Sequence, residues 1–166
     1  MTAEKIIKIA RKYIGDTGGE TFWKAYGYNT RVPWCAIFQW YIFREAGASA
    51  LYYGGGKTAY VPALWTAAKA AGTTHKDPKP GDWVCYDWNK NAAPDHIGLV
   101  VSATSTTIHT IEGNVGDKVA EMDRPRDEKI LGYIRPHYTT GTNCDNCPVM
   151  EALRALYNKM KEDEHK

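Results

Sequence analysis

The fold is decided by the stretch Val32-Pro33-Trp34-Cys35-Ala36-Ile37-Phe38-Gln39-Trp40-Tyr41-Ile42-Phe43, in which almost every residue after the cysteine is apolar or aromatic. A proline followed by such a run predicts the start of a buried helix. Cys35 would lie in its first turn, where backbone N–H groups lack partners and the helix dipole is positive, so the thiolate is favoured. The alternative is a cysteine that serves as a small core residue, and a histidine within reach would decide between the two.

Length, charge and composition limit the class of protein. A chain of 166 residues is long enough for one domain that buries about two thirds of its surface. The 21 basic and 19 acidic residues form no basic run, which excludes a typical nucleic-acid binder. The N-terminus has no apolar signal region, and no window of about twenty apolar residues exists. We therefore expect synthesis in the cytoplasm without a signal peptide and no membrane span.

Periodicity predicts helices first and strands second. The first helix is expected from the N-cap Thr2 to Gly15, the cysteine helix to about Ala46, and a third helix from Pro62 to Gly72. Segments rich in β-branched and aromatic residues then predict an antiparallel sheet of five strands: 82–88, 96–102, 107–112, 118–122 and 130–134. This order is typical of an α+β domain in which N-terminal helices pack on the sheet.

An aromatic loop precedes the cysteine. Residues 15–28 read as a loop that carries several rings and leads directly to Cys35. Rings of this kind line clefts for extended polar ligands, so we expect substrate contacts from Trp23, Tyr28 and Trp34. The alternative is that the rings belong to a large aromatic core.

The predicted sheet supplies the histidine. If Thr104-Ser105-Thr106 closes a hairpin, facing residues have numbers that add up to about 210, so His96 faces Asn114 and Gly98 faces Glu112. These four residues would share one face, with an open spot at Gly98 for a thiolate or a substrate, unless a bulge shifts the register.

The residue types on this face suit covalent acyl transfer. A nucleophile, an imidazole, and a carboxylate or amide that orients the ring are the groups that this chemistry needs. The alternative is that His96 is a half-buried histidine in a strand, and that a neighbouring carboxylate satisfies its hydrogen-bonding capacity. The presence of Cys35 favours the functional interpretation. Cys85, in the middle of a strand, is expected to be a core residue.

Four segments resemble those of a CHAP domain and occur in the same order. They are Arg31-Val32-Pro33-Trp34-Cys35-Ala36, Pro78-Lys79-Pro80-Gly81-Asp82, Asp95-His96-Ile97-Gly98-Leu99-Val100, and Ile111-Glu112-Gly113-Asn114. The resemblance spans roughly residues 2–138. CHAP domains are cysteine- and histidine-dependent amidohydrolases and peptidases related to NlpC-type enzymes, and they are common in phage endolysins. The resemblance implies a papain-like, NlpC-like fold.

The resemblance also implies roles and a substrate. Cys35 would be the nucleophile, His96 the base, Glu112 the residue that orients the ring, and Asn114 a fourth polar residue. The substrate would be bacterial peptidoglycan, cleaved between muramic acid and L-alanine or within a stem or cross-bridge peptide, with a phage or prophage lysin as the setting. An inactive wall-binding or structural phage module with the same fold is the alternative.

No cofactor or metal is expected. Several CHAP domains bind calcium through acidic residues before the cysteine, but this loop offers only Asp16 and Glu20, too few for about six oxygen ligands. A zinc site of Cys144, Cys147 and His137 would lack a fourth ligand.

The last residues form a separate segment in this interpretation. The catalytic domain covers residues 1–138, a linker with the two cysteines covers 139–147, and an amphipathic helix covers 148–166. A short helix with an apolar stripe is marginal alone in water. We therefore expect this segment to self-associate as a homo-oligomer or to dock on a targeting partner.

Overall fold

Four α-helices precede all six strands of a single sheet in the computed structural model, which describes residues 1–138. The helices are α1 (Ala3–Arg11), α2 (Glu20–Tyr26), α3 (Cys35–Glu45) and α4 (Val61–Ala70), and two short 3-10 turns, Ser49–Leu51 and Tyr53–Gly55, lie between α3 and α4. The predicted α+β class is therefore confirmed. The predicted linker 139–147 and helix 148–166, with Cys144 and Cys147, lie outside the described residues.

Helix α3 is the core helix of the domain. It begins at Cys35, and the preceding residue, Trp34, offers no side-chain hydrogen bond to its first turn. Eight of its eleven residues are buried. A helix that is apolar on almost all sides needs neighbours on all sides. The neighbours that supply these contacts are α1, α2 and two strands of the sheet, His96–Ala103 and Thr107–Val115.

Helix α2 corrects the prediction of a continuous loop before the cysteine. Glycines in the left-handed conformation flank it, Gly19 with φ +63° and Gly27 with φ +111°. Its seven residues are too few for a clear helical period. The helix is held by packing, because Phe22 stacks on Trp34 at a ring-centroid distance of 5.3 Å.

All pairings in the sheet are antiparallel. Its strands are β1 (Thr74–His75), β2 (Trp83–Tyr86), β3 (His96–Ala103), β4 (Thr107–Val115), β5 (Lys118–Pro125) and β6 (Ile130–Ile134), in the order β1-β6-β2-β3-β4-β5. The five predicted strands are confirmed. The two-residue β1, which pairs with β6, was not predicted.

The hairpin of β3 and β4 has the predicted register near the site. Leu99 pairs with Ile111 and Val100 with Thr110, as expected, and a bulge after Val100 shifts the pairing toward the turn. The shift lies on the turn side of Leu99 and Ile111, the last regular pair before Gly98 and Glu112.

The two faces of the sheet bury different clusters. The helices pack on the face that carries Trp83 and Cys85, while Val84 and Tyr86 belong to a smaller apolar cluster on the other face. This separation follows from the alternation of side chains along β2. Cys85 is fully buried. Its burial, and to a smaller extent the charge of Cys35, raises the pKa of its thiol. It is a core residue, as predicted.

Helix α3 approaches β4 closely at Gly113. A Cβ atom on this glycine would lie 2.6 Å from Cβ of Phe38 and 3.0 Å from the Trp34 ring. The missing side chain therefore sets the distance between α3 and β4. Since Cys35 and Glu112 lie beside these contacts in the chain, this distance also sets the spacing of the site.

In the described part of the chain, no helix has both the length and the apolar character that crossing a bilayer requires.

We predict that Gly113→Ala lowers the free energy of unfolding by about 1–3 kcal/mol, the usual cost of overpacking a core. The added methyl group must push α3 away from β4, so iodoacetamide should also label Cys35 at a different rate. Urea unfolding and labelling kinetics measure the two effects. The control is Ser105→Ala in the exposed turn of the hairpin. Equal stability of the two variants would contradict the close approach.

Candidate active site

A histidine and a buried carboxylate meet at the start of β3. Nε2 of His96 lies 3.0 Å from Oε2 of Glu112, whose side chain has no exposed surface. The predicted proximity of these two residues is therefore present in the structure. With Nε2 occupied by Glu112, Nδ1 is the ring nitrogen left for a second partner.

Cys35 is the other group that interacts with the His96 ring. It is the first residue of α3 and is almost fully buried. Burial lowers the pKa of His96, but a hydrogen bond with Cys35, a hydrogen bond with Glu112 and the charges of both groups outweigh it and raise the pKa to about 9. The imidazole thus interacts with a sulfur as well as a carboxylate, the combination that nucleophilic catalysis needs.

Glu112 is held from several strands at once. Its Oε1 accepts hydrogen bonds from the hydroxyl of Tyr86 at 3.0 Å and from Thr110 at 2.7 Å. Arg124 on β5 donates to both oxygens, from Nε to Oε1 at 3.1 Å and from Nη2 to Oε2 at 2.7 Å. Burial raises the pKa of Glu112, but hydrogen bonds from His96 and Arg124 lower it to about 2. The group is therefore a carboxylate at neutral pH.

Gly98 has a different use from the one predicted. A Cβ atom there would lie 2.7 Å from Cγ of Glu112. The side chain of Glu112 thus fills the spot that was expected to stay open for a thiolate or a substrate. The glycine makes room for the carboxylate that contacts His96.

Asn114 lies at the same end of β4 but outside this network. The pairing of β4 with β5 is irregular between Glu112 and Val115, and Asn114 adopts a left-handed φ of +64°. Regular pairing of β3 with β4 starts at Leu99 and Ile111, so the expected opposition of His96 and Asn114 lies beyond it. The hydrogen bonds of His96 and Glu112 described above do not include Asn114.

The three rings expected to contact substrate differ in exposure. Trp34 is fully buried, and its indole N–H points to Asp117 at 3.3 Å. Trp23 is buried and donates to the carbonyl of Gly18 at 3.0 Å. Tyr28 is 38% exposed and stacks on Tyr26. Of the three, only Tyr28 offers substantial surface to a ligand.

Sequence reasoning missed an aromatic stack beside the histidine. Tyr86 pairs with His96 across β2 and β3, and Trp88 stacks on Tyr86 with centroids 4.6 Å apart. Trp88 is 41% exposed. The guanidinium of Arg124 lies 5.6 Å from the Tyr86 ring and 5.4 Å from the Trp88 ring. Both residues lie in predicted strands, 82–88 and 96–102, so a register predicted for these two strands could have shown that Tyr86 faces His96.

Within residues 1–138, no group of three His, Cys, Asp or Glu side chains is placed to hold a metal ion. Cys144 and Cys147, two of the three residues of the zinc hypothesis, lie outside that part of the chain.

His109 lies on the opposite face of β4 from Glu112 and contacts Asp123 at 2.8 Å.

We predict that acid destabilises the protein through Glu112. Its pKa is about 2 in the folded chain against 4.5 for the free group, so between these pH values the unfolded chain binds the extra proton and stability falls as pH falls. The contribution is on the order of 3 kcal/mol. Urea unfolding from pH 6 to pH 2 should show a flatter dependence for Glu112→Gln.

The control for this experiment is Glu128→Gln. Glu128 is an exposed carboxylate paired with Lys90, and such surface pairs contribute little to stability. A pH dependence that is identical in wild type and Glu112→Gln would show that Glu112 is not held as a buried anion.

Comparisons with known proteins place the chain in a family. A search of curated proteins found no match. Among solved structures, "The crystal structure of Ly7917" is similar with a TM-score of 0.53 at 15% identity, a likeness that concerns the fold alone. The alignment covers 82% of this chain and 63% of that one, so this chain spans less than two thirds of that length. The model of the CHAP domain matches residues 26–114, more than half of the sequence, and the chain therefore belongs to the CHAP domain family.

Proposed function

We propose that this protein is a peptidoglycan hydrolase that cleaves an amide bond with Cys35 as the nucleophile. CHAP domains are generally hydrolases that act on peptidoglycan. The observation that carries the proposal is the placement of His96, with Nε2 at 3.0 Å from the buried Glu112 and with Cys35 as its other partner. In this proposal His96 is the base and Glu112 orients its ring.

The first half of the reaction forms a thioester. The thiol proton of Cys35 passes to His96, or already lies there in a resting thiolate–imidazolium pair, and the sulfur attacks the carbonyl carbon of the amide. Backbone N–H groups in the first turn of α3 stabilise the oxyanion, because Trp34 provides no side-chain cap that competes for them. The C–N bond then breaks, and the imidazolium of His96 gives its proton to the leaving amine.

The second half releases the acyl group. His96, neutral again, takes a proton from water, and the hydroxide attacks the thioester carbon. The C–S bond breaks, the sulfur regains its proton from His96, and the free carboxylic acid leaves. Glu112 stays ionised through both halves, and its hydrogen bond to Nε2 stabilises the imidazolium whenever it forms.

Two further assignments belong to this proposal. Asn114 is the fourth polar residue of the site, at the irregular end of β4. Tyr28, through its exposed ring, contacts the substrate, while Trp23 and Trp34 act indirectly by packing under the cleft wall.

The bond cleaved lies between muramic acid and L-alanine or within a stem or cross-bridge peptide. The setting that we propose is a phage or prophage lysin, made in the cytoplasm and acting on the cell wall. The second candidate is an inactive wall-binding or structural phage module of the same fold. Mass spectrometry of fragments released from purified walls separates these alternatives, because an amidase, an endopeptidase and a binding module release different products or none.

We predict that Cys35→Ala and Cys35→Ser abolish the release of wall fragments and leave the fold intact. Iodoacetamide should label Cys35 much faster than Cys85, since burial raises the pKa of the Cys85 thiol. Peptide mapping after timed labelling measures both rates, with Cys85→Ala as the matched control that keeps activity. Full activity of Cys35→Ala would refute the assignment of the nucleophile.

We predict that His96→Ala is as damaging as the loss of Cys35, because nucleophile and base act as a unit. Glu112→Gln should lower turnover by orders of magnitude, as loss of a ring-orienting carboxylate does in triads. Asn114→Ala should be milder, since Asn114 stands outside the hydrogen bonds of His96. Initial rates of fragment release test the ranking. If Asn114→Ala were the more damaging variant, the orienting role would pass from Glu112 to Asn114.

A further inference from the structure

We propose that Arg124 is a positioning residue of this site: its guanidinium fixes the Glu112 carboxylate and sets the pH range in which Cys35 and His96 react. The inference rests on the proposed function and adds a residue on β5 that neither the motifs nor the family match singles out. Residue 124 lies outside the matched range of 26–114.

Arg124 and His96 share one oxygen of Glu112. Nη2 of Arg124 lies 2.7 Å from Oε2, and Nε2 of His96 lies 3.0 Å from the same atom. Nε of Arg124 binds Oε1 at 3.1 Å, so the contact is bidentate. A planar two-point contact fixes the plane of a carboxylate as well as its position. Arg124 therefore orients the lone pair that accepts the hydrogen bond from Nε2 of His96.

Arg124 is itself immobilised. Its guanidinium lies over the rings of Tyr86 and Trp88, and the hydroxyl of Tyr86 bonds the same carboxylate. Burial and the negative charge of Glu112 raise the pKa of Tyr86, so this hydroxyl remains a neutral donor. The two rings cover the ion pair, and little of the Arg124 side chain is exposed. Salt screens a partly buried ion pair of this kind less than it screens an exposed pair.

The charge of Arg124 acts on the whole site. The titratable groups that interact with Glu112 or His96 include Cys35 from α3, Tyr86 from β2 and Arg124 from β5. An unpaired buried carboxylate would take up a proton or would hold His96 permanently as an imidazolium. The charge of Arg124 keeps Glu112 ionised, and it also offsets part of the negative charge that would hold the proton on His96. It leaves His96 able to exchange a proton with Cys35.

A second ion pair of the same form provides a matched control. Arg135 donates from Nε to Oδ1 of Asp82 at 2.9 Å and from Nη2 to Oδ2 at 2.7 Å, and Asp82 is buried. The side chains of Arg124 and Arg135 are 23% and 25% exposed. No hydrogen bond joins the Arg135 pair to His96 or Glu112 among the described residues. A purely structural contribution should therefore be similar at both arginines.

The test uses the full chain and the variants Arg124→Gln, Arg124→Lys and Arg135→Gln. The rate of Cys35 alkylation by iodoacetamide is measured against pH, together with fragment release from walls and urea unfolding. Removing a cation favours the protonated form of every neighbouring acid, so Arg124→Gln should move the acid limb of the alkylation profile upward by about one pH unit or more. Arg135→Gln should lose stability without any such move.

Arg124→Lys separates charge from orientation. It keeps the positive charge, so its alkylation profile should stay near that of wild type, while turnover falls at least tenfold because the two-point contact is lost. If Arg124→Gln folds and its profile coincides with wild type, the proposal is overturned. If Arg124→Gln does not fold, wild-type turnover in Arg124→Lys overturns it instead, and reduced turnover with an unmoved profile supports it.

Alkylation needs no substrate, so the proposed function can fail separately. Failure of the wild-type protein to release fragments from any wall would refute the hydrolase. The effect of Arg124 on the Cys35 profile would still be measured, and an upward move would still support its control of the cysteine–histidine pair.

Discussion

The buried charge of Glu112 is the constraint on which the sheet and the site both depend. A carboxylate without exposed surface is stable only if nearly all its hydrogen-bonding capacity is satisfied. Its partners here come from four strands: Tyr86 on β2, His96 on β3, Thr110 on its own strand β4 and Arg124 on β5. Breaking such a buried pair typically costs 3–5 kcal/mol. A slip of any of these strands would break at least one of these bonds, so the charge fixes their register.

Two glycines make this arrangement sterically possible. Gly98 on β3 leaves the space that the Glu112 side chain occupies, and Gly113 on β4 lets α3 come close to the sheet. The first positions the carboxylate against His96, and the second positions the start of α3, and with it Cys35, against the same ring. Cys35 thus comes close to His96 because Gly98 and Gly113 carry no side chains.

The sequence was sufficient for the parts of the site that follow local rules. The apolar run predicted α3 and the place of Cys35, and the hairpin register predicted that His96 and Glu112 share a face. Arg124 could not be found in this way, because the residue directly opposite Glu112 on β5 is Ala120, and Arg124 reaches the carboxylate along the strand from its place opposite Ile108. Periodicity also could not reveal the seven-residue α2, nor distinguish the buried rings of Trp23 and Trp34 from the exposed ring of Tyr28.

The same network bears on the choice between an enzyme and an inactive module. A buried ion pair is a poor device for stability, since well-packed apolar residues of similar volume often stabilise a fold as well or better. The apolar cluster of Val84, Val100 and Ile108 on this face of the sheet illustrates that solution a short distance away. Stability alone therefore gives no reason for placing a carboxylate, an arginine and a histidine where apolar side chains would serve. Orientation of an imidazole beside a cysteine gives one under the proposed mechanism, because an ionised and immobile carboxylate stabilises the imidazolium that forms when Cys35 loses its proton.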